Sequence, residues 1–346
     1  MRTESSQVPA RLKYVTDVKP GITRKKAGKS YQYFDAHGKR ITNEEELKRI
    51  RSLAVPPAYK NVWISPWPNG HIQATGLDQK GRKQYRYHPR WRELRDETKF
   101  SHILQFGERL PSIRARIEKD MKLQGLERNK VLATVVQLLE KTLIRVGNAE
   151  YAKKNQSYGL TTIRKKHVAV KGGEIRFKFK GKSGKEWNLS LHDRRIASVV
   201  KKCAEVQGFE LFKYIDDDGK VRDVTSSDVN AYLKEISGED FTAKDFRTWA
   251  GTVLAALALV EYEKYDSAAQ AKKNIVKAVE TVAKQLGNTP AICRKCYIHP
   301  EIISSYSDGN FYEMVEHEID EAFRKQYKSL SREEVMVLAF LKKRIS

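Results

Sequence analysis

Apolar and polar positions alternate in short runs up to about residue 98, and beyond it apolar residues recur every three or four positions. Within the first stretch, residues 31–35, 61–64, 71–77 and 83–88 read as strands. They are punctuated by Ala36-His-Gly-Lys39, by Pro66 and Pro68 around Trp67, and by a turn at 78–82 that contains Gly81. The last two runs make a hairpin, with Gln84, Arg86 and His88 on one face and Tyr85 and Tyr87 on the other. Such a two-stranded ribbon suits a major groove, or simply covers a small core. A brief helix precedes them, with Thr42 and Glu45 as a capping pair, Leu47, Ile50 and Leu53 as its apolar stripe and Pro56-Pro57 as its stop.

From about residue 99 the pattern is largely helical. Val131, Leu132, Val135, Leu138 and Leu139 form one stripe over residues 130–144, behind Asn129 as cap. Further helices are predicted over 192–206, 226–236, 242–263 and 267–286. A last one is opened by a Ser331/Glu334 capping box and runs to about residue 343. Between them, residues 161–170, 174–179 and 186–191 are strand-like, separated by Gly172-Gly173 and by the turn 181–184. The expected fold class is α+β: a small, mostly β domain over 1–98, and a larger, mostly helical domain over 99–346 that carries a small sheet or hairpin.

Charge narrows the function. The 66 Lys and Arg against 43 Asp and Glu leave a net charge of +23, which points to a polyanionic partner. The basic residues are spread along the chain among aromatics, as on a folded surface that wraps nucleic acid. No run of about 18 apolar residues and no apolar signal core is present, so no membrane partner and a cytoplasmic location are expected. Cys203, Cys293 and Cys296 give no disulfide framework, and Cys293, Cys296 and His299 fall short of a four-ligand zinc site. Phosphate-cradling, H-E-x-x-H and G-x-S-x-G motifs are all missing, so neither metal nor cofactor is expected.

Phosphoryl transfer can still be run by arginines and one nucleophile, because its transition state mainly needs charge compensated on oxygen. Four segments offer the parts. Arg145 ends the first long helix, next to Gly147. Lys182 sits at a hairpin tip in Phe179-Lys-Gly-Lys182. Arg247 lies one turn into its helix, where the stripe Phe246, Trp249, Ala250, Val253 and Leu257 leaves Lys244, Arg247 and Gly251 to the other face. Asn288 and Tyr297 share one segment, with Thr289 as N-cap and Pro290 as first helical residue. Singly, each has a plainer reading: a helix-dipole partner, a solvated lysine, a packed tyrosine.

Taken in order, the segments resemble the type IB DNA topoisomerases, especially the compact bacterial and poxvirus form. The resemblance begins with Ile50-Arg-Ser-Leu-Ala-Val-Pro-Pro-Ala-Tyr59 and Gly81-Arg-Lys-Gln-Tyr-Arg-Tyr87. It continues through Arg145-Val-Gly-Asn148, Gly159-Leu-Thr-Thr162, Phe179-Lys-Gly-Lys182, Lys244-Asp-Phe-Arg-Thr248 and the tyrosine segment. It implies a tyrosine-recombinase-like catalytic fold and a C-shaped clamp, monomeric on duplex DNA, associated with a bacterial nucleoid and independent of ATP and metal. It also implies Tyr297 as the nucleophile that forms a 3'-phosphotyrosyl strand, Arg145 and Arg247 on the phosphate oxygens, and Lys182 as general acid. Asn288 stands where some relatives have histidine, which leaves it hydrogen bonding but no proton transfer near neutral pH. Gln84, Tyr85, Tyr87, Tyr151 and Lys244 are the implied DNA contacts. Two rivals remain at this point: a tyrosine site-specific recombinase, and a non-catalytic architectural DNA-binding protein.

Overall fold

The alternating N-terminal runs pair into a five-stranded antiparallel sheet. Its strands are β1 (Ile22–Ala27), β2 (Ser30–Phe34), β3 (Lys60–Ile64), β4 (Ile72–Leu77) and β5 (Lys83–Tyr87), in the spatial order β2-β1-β3-β4-β5. The computed structural model describes residues 12–28, 30–262, 265–312 and 320–345. They fall into two compact units, the first ending at Phe100 and the second beginning at Ser101. The architecture is mixed α and β, with small antiparallel sheets.

In the first unit, Ile22, Val62, Ile64 and Ala74 of the sheet bury against Ile50 of helix α1 (Glu44–Ser52). The side chain of Asn43, not Thr42, caps α1, accepting from the Glu46 amide at 2.9 Å. Asparagine caps at least as well as threonine, and the shift sets Glu44, Glu45 and Glu46 in the first turn, at the positive end of the helix dipole. Arg49 ties the helix to the sheet by donating to Gln73 at 3.0 Å and to the Ser65 carbonyl at 2.8 Å. Arg24 gathers the Pro56-Pro57 loop, donating to the carbonyls of Val55, Pro56 and Tyr59 at 2.7–3.1 Å. Strand β1 has no counterpart in the sequence reading. Its run Ile-Thr-Arg-Lys-Lys-Ala buries only Ile22, too little apolar alternation to signal a strand.

The second unit is mainly helical. Helix α2 (Pro89–Asp120) leads to α3 (Arg128–Thr142), which is buried without interruption from Val131 to Leu139. The expected cap Asn129 lies inside the first turn of α3. Glu127 holds the cap position, and its carboxylate instead accepts from the Gln124 amide at 3.0 Å, closing the preceding turn. Then come α4 (Ala149–Asn155), a sheet of β6 (Val168–Lys171), β7 (Glu174–Lys180) and β8 (Glu186–His192) in that order, α5 (Arg194–Glu205) and the hairpin of β9 (Lys213–Ile215) with β10 (Val221–Asp223). Residues 161–170 are not one strand: two 3-10 turns, Leu160–Thr162 and Lys165–His167, precede β6. Helices α6 (Ser226–Ser237), α7 (Ala243–Val260), α8 (Ala268–Leu286), α9 (Pro290–Cys296) and α10 (Pro300–Ser307) follow, and then Glu321–Gln326 and Arg332–Ile345.

One carboxylate knits this unit together. Glu334 pairs with Arg114 of α2 at 2.8 Å and accepts from the Trp249 indole of α7 at 3.1 Å. It also accepts from the Ser331 amide at 2.9 Å, completing the predicted capping box of the last helix. Arg114 also pairs with Glu140 of α3 at 2.6 Å. Glu334 is itself buried, so removing Arg114 leaves its charge poorly compensated. Among the described residues, no helix is long and apolar enough to cross a membrane.

Candidate active site

The site begins where α3 stops. Leu143 takes a left-handed conformation (φ 56°) as C-cap, and Gly147 (φ 106°) turns the chain again. Arg145 therefore lies beyond the helix, not at its end as expected. Its backbone is clasped by the segment 159–162: Leu160 N donates to Arg145 O at 2.9 Å, and Thr161 N to Val146 O at 2.7 Å. At Gly159 any Cβ would stand 2.5 Å from Arg145 O and 2.6 Å from Gly147 N, so only glycine admits this approach. This clasp is also why residues 160–162 form a tight turn and not a strand.

The arginine fork then reaches the far end of α8. Arg145 Nη2 donates to Gly287 O at 3.1 Å, and Arg247 Nη2 to Leu286 O at 2.7 Å. Arg247 Nη1 also donates to Leu143 O, joining the α3 and α8 ends through one guanidinium. Lys185, just past the β7 hairpin tip, donates from Nζ to Lys284 O at 2.9 Å. The last carbonyls of a helix carry its negative partial charge and lack a full set of intrahelical donors. Here that helix end gathers three cations that would otherwise repel one another.

Burial gives these cations unusual character. Arg247 is only 3% exposed: although it lies opposite the apolar stripe, α7 is buried on nearly every side. Burial brings the Arg247 pKa down to about 10; the Tyr297 phenol opposes this and Arg145 adds to it. The group stays charged at neutral pH, and its Nε is buried without a hydrogen-bond partner. Lys185 is also pushed below the ordinary lysine range, first by burial and then by Arg145.

Tyr297 follows from local sequence. Thr289 caps α9 through the Ile292 amide and Pro290 occupies its first turn, as predicted. Tyr297 is the C-cap residue, one position past the helix, with its ring centroid 5.3 Å from Arg247 Cζ. Helix α7 lets it in at Gly251, where a Cβ would meet Tyr297 O at 2.5 Å. Asn288 donates its backbone N–H to Ala283 O at 3.0 Å, while its side-chain Nδ2 is buried without an acceptor. Burial raises the neighbouring Cys293 thiol pKa, against the pull of Asn288, Arg247 and Arg145. His299 is engaged as the cap of α10, accepting from Glu301 N at 3.2 Å. Among the described residues, no three His, Cys, Asp or Glu gather as a metal site.

Arg145, Asn148, Tyr151, Ser157, Tyr158 and Lys182 line a pocket of about 420 Å³. Four proposed site residues thus fall around the α8 end (Arg145, Arg247, Asn288, Tyr297), and Lys182 and Tyr151 meet Arg145 across the pocket. Lys244 is exposed in the first turn of α7, outside the pocket lining. Gln84, Tyr85 and Tyr87 belong to β5 of the first unit. There Tyr85 stacks on Tyr87 (centroids 5.8 Å apart, planes 10° apart), and Gln84 donates to Asp78 at 2.9 Å. Sequence reasoning missed Asn148, Ser157, Tyr158 and Lys185. Asn148 ends a motif already singled out and Tyr158 precedes another, whereas nothing in the Lys182-Ser-Gly-Lys185 turn marks its second lysine.

Comparison with known proteins bears on the whole chain. The profile of the eukaryotic DNA topoisomerase I catalytic core matches residues 88–326, and that of the bacterial DNA topoisomerase IB N-terminal domain matches residues 30–78. DNA topoisomerase 1B of Acanthamoeba polyphaga mimivirus is 33% identical over 308 residues, spanning 87% of this chain and 91% of that protein. DNA topoisomerase 1B of vaccinia virus (strain Copenhagen) is 25% identical over 245 residues, spanning 69% of this chain and 74% of that protein.

Proposed function

The chain belongs to the type IB DNA topoisomerases, isomerases that act on duplex DNA, and from that premise we propose how its own residues break and reseal a strand. Tyr297 Oη attacks the scissile phosphorus as its phenolic proton leaves to water. The P–O5' bond breaks, the 3' end becomes a phosphotyrosyl ester, and Lys182 gives the departing O5' a proton. Arg145 and Arg247 exchange their carbonyl acceptors for the non-bridging oxygens, as planar forks that keep their charge. Asn288 turns its unpartnered Nδ2–H toward the same oxygens. One phosphodiester replaces another, so resealing by the 5'-hydroxyl needs no nucleotide. The open strand rotates meanwhile.

In this reading the second unit carries a tyrosine-recombinase-like catalytic fold, and the two units close on DNA as a monomeric, C-shaped clamp, within a cytoplasmic nucleoid. Residues 1–98 and 99–346 are its two domains. Gln84, Tyr85, Tyr87, Tyr151 and Lys244 hold the duplex.

One observation carries the proposal. The two arginines bind the carbonyls of consecutive residues, 286 and 287, with the Tyr297 ring against one and the pocket of Lys182 beside the other. The test is relaxation of a supercoiled plasmid in EDTA without ATP, run beside Tyr297→Phe. Wild type is expected to relax it and to leave covalent protein–DNA adduct on denaturation, and the variant to bind DNA but form none. Adduct from the variant would remove Tyr297 from its role. Strand exchange between paired sites, without relaxation, would turn the reading to recombination.

A further inference from the structure

The hairpin that carries Lys182 turns tightly. Gly181 N donates to Lys185 O at 2.7 Å, and Ser183 and Gly184 are both left-handed, with φ of 61° and 79°. Lys182 stands exposed on this turn. A lysine on a flexible four-carbon stem is a poor proton donor unless its base is fixed, because misplacement by about 1 Å costs on the order of a hundredfold in rate.

Two side chains dock the turn on the end of α8. The Trp187 indole lies against Gly181 and Gly287 together: a Cβ on either glycine would come within 2.6 Å and 2.9 Å of it. Lys185 runs its stem along Gly287, where its Cδ would stand 3.1 Å from an added Cβ, and ends on Lys284 O at 2.9 Å. That helix end is also where the Tyr297 segment departs and where both arginines are held. Lys185 is half-buried and its bond lies at the exposed edge of the helix end, yet burial and Arg145 both disfavour its charge there. The carbonyl at the negative end of α8 offsets this.

We infer that Lys185 is a positioning residue for the proton transfer. Its bond to the α8 end fixes the turn, so that Lys182 faces the pocket in register with Arg145 and Tyr297. The inference rests on Lys182 being the general acid, and the experiment separates the two claims.

Single-turnover adduct formation is measured for wild type, Lys182→Ala, Lys185→Met and Lys185→Arg. Two duplexes are used, one all-oxygen and one with sulfur as the 5' bridging atom, a leaving group that needs no acid. Lys185→Met keeps the stem on Gly287 and removes only the donor. It is expected to slow cleavage of all-oxygen DNA roughly tenfold to a hundredfold, to recover to near wild type on the sulfur duplex, and to bind DNA as tightly as wild type. Lys185→Arg, which keeps a donor, is expected to cleave both duplexes at close to the wild-type rate. If Lys185→Met is slowed equally on both duplexes, or on neither, Lys185 does not position the acid. If Lys182→Ala is not rescued by sulfur, the acid itself is misassigned and the inference falls with it.

Discussion

At the end of α8, three cations spend their hydrogen bonds on main-chain carbonyls, and one of them, Arg247, is 3% exposed. On β5 of the first unit, Tyr85 is 43% exposed, stacks on Tyr87 and lies near Lys83, whose ammonium is 5.5 Å from its ring centroid. The first region holds its groups against main-chain carbonyls at two helix ends. The second displays groups whose rotamers remain adjustable. Bond-making needs the former, because charge must be compensated at the moment it develops. Gripping a duplex, the role proposed for β5, tolerates the latter, since backbone contacts set register more than rate.

That contrast can be broken at several points. Arg247→Ala carries the largest expected effect: a loss of about two to three orders of magnitude in single-turnover cleavage. It should also lower the melting temperature, because the carbonyls of Leu143 and Leu286 lose a buried donor at a cost of about 1–3 kcal/mol. A loss of only a few fold would show that the buried fork is scaffold alone. Gly251→Ala is expected to slow cleavage roughly tenfold to a hundredfold by pressing on Tyr297 O. The clash costs about 1–3 kcal/mol of stability, against about 1 kcal/mol gained in helix propensity, so the loss in rate is expected to exceed the loss in stability. Tyr85→Ala sits at the other extreme. DNA affinity should fall about fivefold, the lower range for an aromatic on nucleic acid, while the cleavage rate at saturating DNA stays unchanged. A changed rate there would erase the distinction between the two regions.

The same division explains what could be read in advance. Thr289 with Pro290, Ser331 with Glu334, and the β7–β8 turn carrying Lys182 are set by neighbours a few residues away, and all were legible. The Thr42 and Asn129 caps were misplaced by one and two residues, because several polar side chains compete at each helix start and only the packed structure selects among them. Arg145 finds its acceptor 142 residues away and Arg247 one 104 residues away, so neither the burial of Arg247 nor the helix end that unites them has a local trace. Lys185 escaped notice for the same reason: its acceptor lies 99 residues further along.

The carboxylate of Glu334 has a bearing on the site although it lies outside it. It serves Arg114 and Trp249, partners 220 and 85 residues earlier, yet it follows every residue of the catalytic set in the chain. Without it, the Trp249 indole, on the helix that bears Arg247, lacks its acceptor, and Arg114 keeps Glu140 and the Ser329 carbonyl. A carboxylate outside the proposed site thus helps seat the helix that presents Arg247.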